Sequence, residues 1–207
     1  EKLGTREWCG YSFSWMACIY ARCREADSAV SMLKKFASNF VSTNSFHLNG
    51  DQKGGQFSNF TYRPFTLEGN FAFAQGVQEL LLQTREGVIE VFPAIPESWK
   101  DVSFRTLRAE GAFLVSAVKE NGVVKVVVVK AEAGGTCLLR LPFKNWTITG
   151  IDRSKVKMRD GVMVVPIDHG RGESHLLRVR RHADGLDTED LGEIRFVPLI
   201  AERGGSG

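Results

Sequence analysis

The chain has 207 residues, 43% hydrophobic and 25% charged, an ordinary balance for a soluble globular protein that buries one good core or two small ones. Its 27 basic and 24 acidic residues leave a net charge of +3 and one basic run, Arg178-Val179-Arg180-Arg181-His182. That is too little for the basic face nucleic acid needs, so no nucleic-acid partner is expected; with no long apolar run and no leader pattern, no membrane span or signal peptide is predicted either.

The chain opens Glu1-Lys2-Leu3-Gly4 without Met, which reads as a piece of a longer polypeptide. Residues Tyr11 to Cys23 then predict a helix. Phe13, Met16, Ala17, Ile19, Tyr20 and Cys23 surround much of its surface, so burial on all sides is expected. A short link, Arg24-Glu25-Ala26, leads to a second, antiparallel helix, capped by Asp27 and inward-facing at Ala29, Val30, Leu33, Phe36 and Ala37. A third helix is predicted from Asn70 to Gln83, with Phe73, Val77, Leu80 and Leu81 inward. Gly76 in its middle costs about 1 kcal/mol relative to Ala, which points to a close approach by another backbone.

Between the second and third helices lies a long segment, Ser42 to Thr66, with no aliphatic period. It carries His47, Asn49, Asp51, Gln52, Asn59, Tyr62 and Arg63. Loops of that length inside compact domains are functional or disordered, and the interleaved Phe46, Phe57, Phe60, Tyr62 and Phe65 argue against disorder. The loop delivers Glu68 to the mouth of the third helix. A carboxylate there is stabilised by the helix dipole by about 0.3–1 kcal/mol, and taken alone that is the first reading of Glu68.

From Gly87 the period changes to that of strands. Val88 to Phe92 is a short strand, and Pro93-Ala94-Ile95-Pro96 is a stiff connector that marks a boundary. Further strands are predicted at Phe104–Arg108, Ala112–Lys119, Val123–Lys130, Thr136–Leu141, Trp146–Ile151, Val162–Ile167 and Ser174–Val179, making an antiparallel sandwich. Asn121-Gly122 is a hairpin turn, and Val123 to Val129 has Val on both faces, the pattern of a central strand covered on both sides. The segment 184–207 is charged and ends Gly204-Gly205-Ser206-Gly207, a partly ordered extension. The fold class is therefore α+β in series: helices over 1–86, a β-sandwich over 87–183, then a tail. Three helices do not easily satisfy a core alone, so they are expected to complete a larger helical assembly.

Cys9, Cys18, Cys23 and Cys137 lack metal-ligand spacing, so no metal or cofactor is expected and the thiols read as small buried hydrophobes. Asn59-Phe60-Thr61 and Asn145-Trp146-Thr147 fit the glycosylation sequon, a short pattern that also arises by chance.

Four separated motifs are similar to one family. Tyr11-Ser12-Phe13-Ser14-Trp15 with Ala21-Arg22 resembles a barrel helix written G-W-S-x-A-W. Pro64-Phe65-Thr66-Leu67-Glu68-Gly69-Asn70-Phe71 resembles P-F-Q-I-D-G-N-F. Val91-Phe92-Pro93-Ala94-Ile95-Pro96 with Trp99 resembles L-L-P-A-L-P, and Leu107-Arg108-Ala109-Glu110-Gly111-Ala112-Phe113 resembles L-R-A-R-G-G-F. In order and spacing these resemble the C-terminal part of glycoside hydrolase family 95, the inverting α-L-fucosidases and related α-L-galactosidases. The resemblance runs over about residues 8 to 140. It implies that the helices close an (α/α)6 catalytic barrel and the strands form the C-terminal β domain. It also implies an oligosaccharide or polysaccharide substrate, an extracellular or periplasmic location, and an upstream part of the same polypeptide as partner.

Inverting glycosidases hold an acid and a base on opposite sugar faces, with about 6.5 to 9.5 Å between carboxyls to admit a water. In this family an asparagine polarised by an aspartate handles the water, and a separate glutamate is the acid. The aspartate falls at Glu68, and the other two groups are expected upstream of residue 1. Glu for Asp adds a methylene, and misplacement of about 1 Å can cost about a hundredfold. The resemblance thus makes Glu68 the catalytic candidate. Asn70 is a substrate contact or a simple cap; His47 and Arg63 bind sugar hydroxyls or pack the loop; Trp15 stacks on a sugar or packs in the core. His169, His175 and His182 receive no role. Two functions compete: part of a glycoside hydrolase removing terminal fucosyl or galactosyl residues, inactive alone, or a noncatalytic structural or carbohydrate-binding module.

Overall fold

The computed structural model describes residues 4–142, 146–167 and 175–181. Three helices come first among them: α1 (Gly10–Arg22), α2 (Ala26–Asn39) and α3 (Glu68–Leu81). The short link makes α1 and α2 antiparallel. Phe13 near the start of α1 therefore meets Phe40 just past the end of α2, with ring centroids 4.8 Å apart. α3 runs parallel to α1. Gly10 and Gly69, at their first turns, both lie against His47, and Arg22 at the end of α1 donates to Glu79 near the end of α3 at 2.8 Å. The starts of α1 and α3 and the end of α2 thus converge on one end of the helical unit, where the long loop begins and ends.

The helical core is Phe13, Ala17 and Ala21 of α1, Ala29, Val30, Met32, Leu33 and Phe36 of α2, with Phe40 and Leu80. Each large apolar side chain there contributes about 1.5–3 kcal/mol relative to exposure. The expectation that α1 is buried all round is corrected. Tyr11, Trp15 and Ile19, spaced one helical turn apart, stay 37%, 53% and 36% exposed, so α1 buries one face and leaves a second apolar stripe open. Ala37 is likewise exposed, and Asp27 sits inside the first turn of α2 instead of capping it. Gly76 meets side chains and not a backbone: an added Cβ would lie 3.1 Å from Leu33 Cδ2 and 3.3 Å from Ala17 Cβ.

The third helix, expected to reach Gln83, stops at Leu81, because Leu82 turns extended and opens a strand that pattern reading assigned to the helices. β1 (Leu82–Arg85) pairs with β2 (Val88–Val91). There follow β3 (Val102–Ala109), β4 (Phe113–Glu120), β5 (Val123–Ala131), β6 (Gly135–Arg140), β7 (Trp146–Thr149), β8 (Lys157–Arg159), β9 (Val162–Ile167) and β10 (His175–Arg181). They form two five-stranded sheets, in the orders β1-β2-β6-β9-β8 and β3-β4-β5-β10-β7, packed as a sandwich around Val115, Val127, Val129, Leu139, Met163, Val165 and Val179. The pairing is antiparallel throughout except for β2 with β6, which is parallel.

β8 was not anticipated; its three residues are all exposed and show no alternation. Asn121 and Gly122 both take positive φ, 50° and 78°, as the predicted hairpin turn demands. β5 is central, between β4 and β10, but of its valines only Val127 and Val129 are buried. Val126 and Val128 on the other face stay half-exposed, so the expected second cover is missing among the described residues. Pro93 to Pro96 does not separate units, since Ala94 and Ile95 pack into the helical core. Among the cysteines only Cys137 is buried, and burial pushes its thiol up to about 12; Cys9 and Cys18 are half-buried and Cys23 is exposed. No described helix is long and apolar enough to cross a membrane. The tail 184–207, Ser174, the sequon at Asn145, and His169 and His182 lie outside the described residues.

A buried carboxylate joins the two parts. Glu90 of β2, 5% exposed, accepts from Arg24 of the α1–α2 link at 2.5 Å and from Arg140 of β6 at 2.7 Å. Gln83 of β1 donates to the Ala21 carbonyl at 3.0 Å. Burial alone would push Glu90 up, but its bonds and charge pairing with Arg140 and Arg24 outweigh that and hold it below its ordinary 4.5. A lowered folded value means this stabilisation is complete above pH 4.5 and is lost as pH falls through the folded value. Removing one partner of a fully buried ion pair costs about 3–5 kcal/mol, but the two arginine side chains are 47% and 48% exposed and water reclaims them. Glu90→Gln is therefore expected to cost about 1.5–3 kcal/mol at pH 7. Urea unfolding at pH 7 and pH 3 tests this, since the gap between wild type and variant should shrink in acid.

Candidate functional site

The long loop is held from inside by Asp51. Its carboxylate, in a residue 2% exposed, accepts from the backbone N–H of Lys53 and of Phe57, both at 2.7 Å, and from the Asn39 amide at 3.1 Å. Burial alone would raise its pKa, yet these N–H groups together leave it lowered. The loop then returns alongside itself: Asn49 N–H bonds the Pro64 carbonyl, Gly50 N–H the Tyr62 carbonyl, and Leu48 bridges Phe65. What reads in sequence as structureless is thus a fastened excursion. Its return leg sets the entry into α3.

Glu68 is the first residue of α3, exposed to solvent. Its carboxylate forms no hydrogen bond or ion pair among the described residues. The backbone around it is held tightly. His47 is completely buried, and its Nδ1 lies 2.7 Å from the Thr66 carbonyl and 2.8 Å from the Thr66 hydroxyl. A carbonyl only accepts, so Nδ1 carries the proton and the ring is the Nδ1–H tautomer. Nε2 is buried with no partner. Burial pushes the pKa of His47 down, against the Thr66 bond and the Glu68 charge, and so favours the neutral ring.

Asn70 completes the clasp. Its Oδ1 accepts the His47 backbone N–H at 2.8 Å and its Nδ2 donates to the Ser45 carbonyl at 2.9 Å. Both ends of the amide are therefore engaged with the loop, which makes Asn70 a staple between loop and helix; it lies inside the first turn of α3 and not at its cap. Of the two readings of His47, burial favours packing in the loop, because a ring with no exposed surface offers nothing to a sugar hydroxyl.

Arg63 remains exposed on the return leg and donates to Gln52 Oε1 at 2.6 Å. Trp15 is not in the core; it lies on the open stripe of α1, half-exposed. Phe46 and Phe65, their rings edge to face at 5.2 Å, together with Leu67 and Phe71 add an exposed apolar rim on the segments flanking Glu68. Sequence reasoning thus placed Glu68, Asn70 and His47 together but missed three residues that fix their geometry, Thr66, Gly69 and Gly10. An added Cβ at Gly69 would lie 2.5 Å from the His47 Cγ, and one at Gly10 would lie 2.8 Å from His47 Cδ2 and from Phe40 Cβ. The signal was the glycine directly after the carboxylate.

The architecture agrees with what the chain resembles. Residues 2–81 match the glycosyl hydrolase family 95 catalytic domain and residues 83–174 match the C-terminal domain of glycoside hydrolase family 95. The division falls at the end of α3. Among individual proteins, "Alpha-L-fucosidase 2" of Arabidopsis thaliana is 32% identical over 110 residues, 52% of this chain and 13% of that protein. Short stretches are also similar to "Protein-L-isoaspartate O-methyltransferase". The protein of Rhodospirillum centenum is 48% identical over 42 residues, 20% of this chain and 19% of that protein. That of Rhodospirillum rubrum is 35% identical over 106 residues, 46% of this chain and 48% of that protein. The chain thus spans less than half of each curated relative. Two domain models of one family, taken together, run in register along the helices and the sandwich, and the chain belongs to glycoside hydrolase family 95.

Proposed function

We propose that this chain is the C-terminal part of an inverting glycoside hydrolase that removes terminal α-L-fucosyl or α-L-galactosyl residues from glycans, with Glu68 polarising the group that positions the attacking water. The observation that carries the reading is the solvent-open, unpartnered carboxylate of Glu68 at the mouth of α3, on a backbone clasped from both sides. A group that handles water must keep its lone pairs free and its position fixed, and those demands usually conflict. Here the hydrogen bonds fall on Thr66 and Asn70, not on the carboxylate.

On this reading the acid stands on the upstream part of the polypeptide, about 6.5 to 9.5 Å from the water-handling pair. The open stripe of Tyr11, Trp15 and Ile19 supports that division, because apolar residues one turn apart on a helix ask for a partner surface. A glycan substrate goes with an extracellular or periplasmic location. The test is turnover: the 207 residues alone should not hydrolyse an α-linked fucosyl or galactosyl substrate, whereas the same residues joined to their upstream sequence should. Robust turnover by the isolated chain would overturn the division. A joined protein that binds glycan without cleaving it would instead favour the noncatalytic module.

A further inference from the structure

His47 is the largest polar side chain at this end of the helical unit with no exposed surface, and the proposed chemistry does not use it directly. Its surroundings are specific. On one side lies Gly69, directly after Glu68; on the other lies Gly10, the first residue of α1, and neither leaves room for a Cβ. The face of the ring rests on Phe36, with centroids 5.2 Å apart. Its Nδ1–H reaches Thr66, two residues before Glu68, and its own backbone N–H reaches the side chain of Asn70, two residues after. One residue thus touches the chain at positions 66, 69 and 70 around a carboxylate that nothing else holds.

We propose that His47 is a positioning residue for Glu68: its ring, wedged between Gly10 and Gly69 and bonded through Nδ1 to Thr66, fixes the backbone on both sides of the carboxylate. This rests on the reading of Glu68 as the carboxylate that polarises the water-positioning group. A flat ring suits the task, since it passes between two close backbones while its edge carries a directional donor. Nε2, which faces Gly10, has no partner, so the ring depends on the Nδ1 bond alone for its polar anchoring.

The test uses the full-length polypeptide that contains this chain, with kcat, KM and melting temperature measured on an α-linked fucosyl substrate. His47→Asn keeps a donor near the Nδ1 position but loses ring volume. His47→Leu keeps apolar volume but loses the donor. Filling the core alone ranks Leu at or above Asn in melting temperature, whereas positioning through Thr66 ranks Asn above Leu in kcat. The expected result is kcat within about tenfold of wild type for Asn and about a hundredfold lower for Leu, the scale of an ångström of misplacement, with KM changed less than about twofold in both. If the loss in kcat simply follows melting temperature, or both variants turn over at the wild-type rate while Glu68→Gln does not, His47 has no positioning role and the reading of Glu68 stands. If Glu68→Gln turns over at the wild-type rate, the reading of Glu68 fails first and this inference with it. Should neither His47 variant fold, Thr66→Val removes the hydroxyl partner from a half-exposed position. Because the backbone carbonyl at position 66 remains, kcat within about threefold of wild type at unchanged KM and melting temperature supports anchoring through the carbonyl, whereas a loss above about tenfold shows that the Thr66 side chain, and not the His47–carbonyl bond, sets the position and overturns the role as stated.

Discussion

Glu68→Gln in the full-length polypeptide is expected to lower kcat on an α-linked fucosyl or galactosyl substrate by about 10² to 10⁴, the usual weight of a group that assists proton movement in the transition state. The amide has the size of the carboxylate but lacks its charge. Because the Glu68 side chain is exposed and makes no hydrogen bond or ion pair among the described residues, the change should leave stability within about 0.5 kcal/mol. Loss of rate without loss of stability therefore separates a chemical role from that of a helix-end acid, whose removal would cost a few tenths of a kcal/mol and no rate. Steady-state kinetics beside urea unfolding decide it, and wild-type turnover in the Gln protein removes Glu68 from the mechanism. Glu68→Asp is the natural companion, since the family motif carries Asp there and the shorter arm reports how far this site has been rebuilt around the extra methylene.

The second large effect is expected from Gly69→Ala. Helix propensity alone favours Ala over Gly by about 1 kcal/mol, so a gain would be predicted if the site were roomy. It is not. The new Cβ would lie 2.5 Å from His47 Cγ and nearer still to Nδ1. The ring has no retreat, because Phe36 lies against its face and Gly10 against its far edge. Overpacking of this kind costs about 1–3 kcal/mol, more than the propensity gain, and the strain is relieved by moving the first turn of α3. That turn carries Glu68, so kcat should fall by about a hundredfold for a shift near 1 Å. Gly76→Ala in the same helix is the control. Its nearest neighbours are the buried Leu33 Cδ2 at 3.1 Å and Ala17 Cβ at 3.3 Å, contacts that a shift of a few tenths of an ångström relieves, so the propensity gain should offset the crowding, leaving stability close to wild type and kcat unaltered. Equal behaviour of the two variants would mean that His47 is not a rigid wedge.

The two substitutions read different links of one chain of cause. Glu68→Gln removes the chemistry and leaves the geometry, whereas Gly69→Ala leaves the chemistry and moves it. Glu90→Gln, at the joint with the sandwich, should do neither and change only stability. A loss of rate there beyond what unfolding explains would show that the β domain also aligns the site.

Much of this protein was legible from residue order, for local reasons. Helical stripes such as Val30, Leu33 and Phe36, alternating strands such as Phe113 to Ala117, and the turn at Asn121-Gly122 each follow from the backbone geometry of a few neighbours. The motif Leu67-Glu68-Gly69-Asn70 at a helix mouth likewise marked the candidate site. Where pattern failed, the missing information was non-local. Leu82 and Gln83 continue the helical run of Leu80 and Leu81, and only pairing with Val88 to Val91 makes Leu82 to Arg85 a strand. β8 is exposed at every residue, so only its ladder with β9 defines it. Trp15 is not in the core expected of it, and of the two readings of His47 the structure takes the packed one. The indole lies open on α1 because burial depends on which helices surround it, and the imidazole is sealed because α1, α2 and α3 close over the loop that carries it.

Sequence by itself thus determined that helices precede strands, the family, and a candidate carboxylate, since each depends on residue type and short-range spacing. Tertiary structure decided what each polar group near Glu68 is for. A histidine or an asparagine in a loop is chemically fit to bind a sugar or to brace a backbone. The choice falls to the space and partners left to it, and here Gly10, Thr66, Gly69 and Ser45 take up those partners and leave Glu68 free.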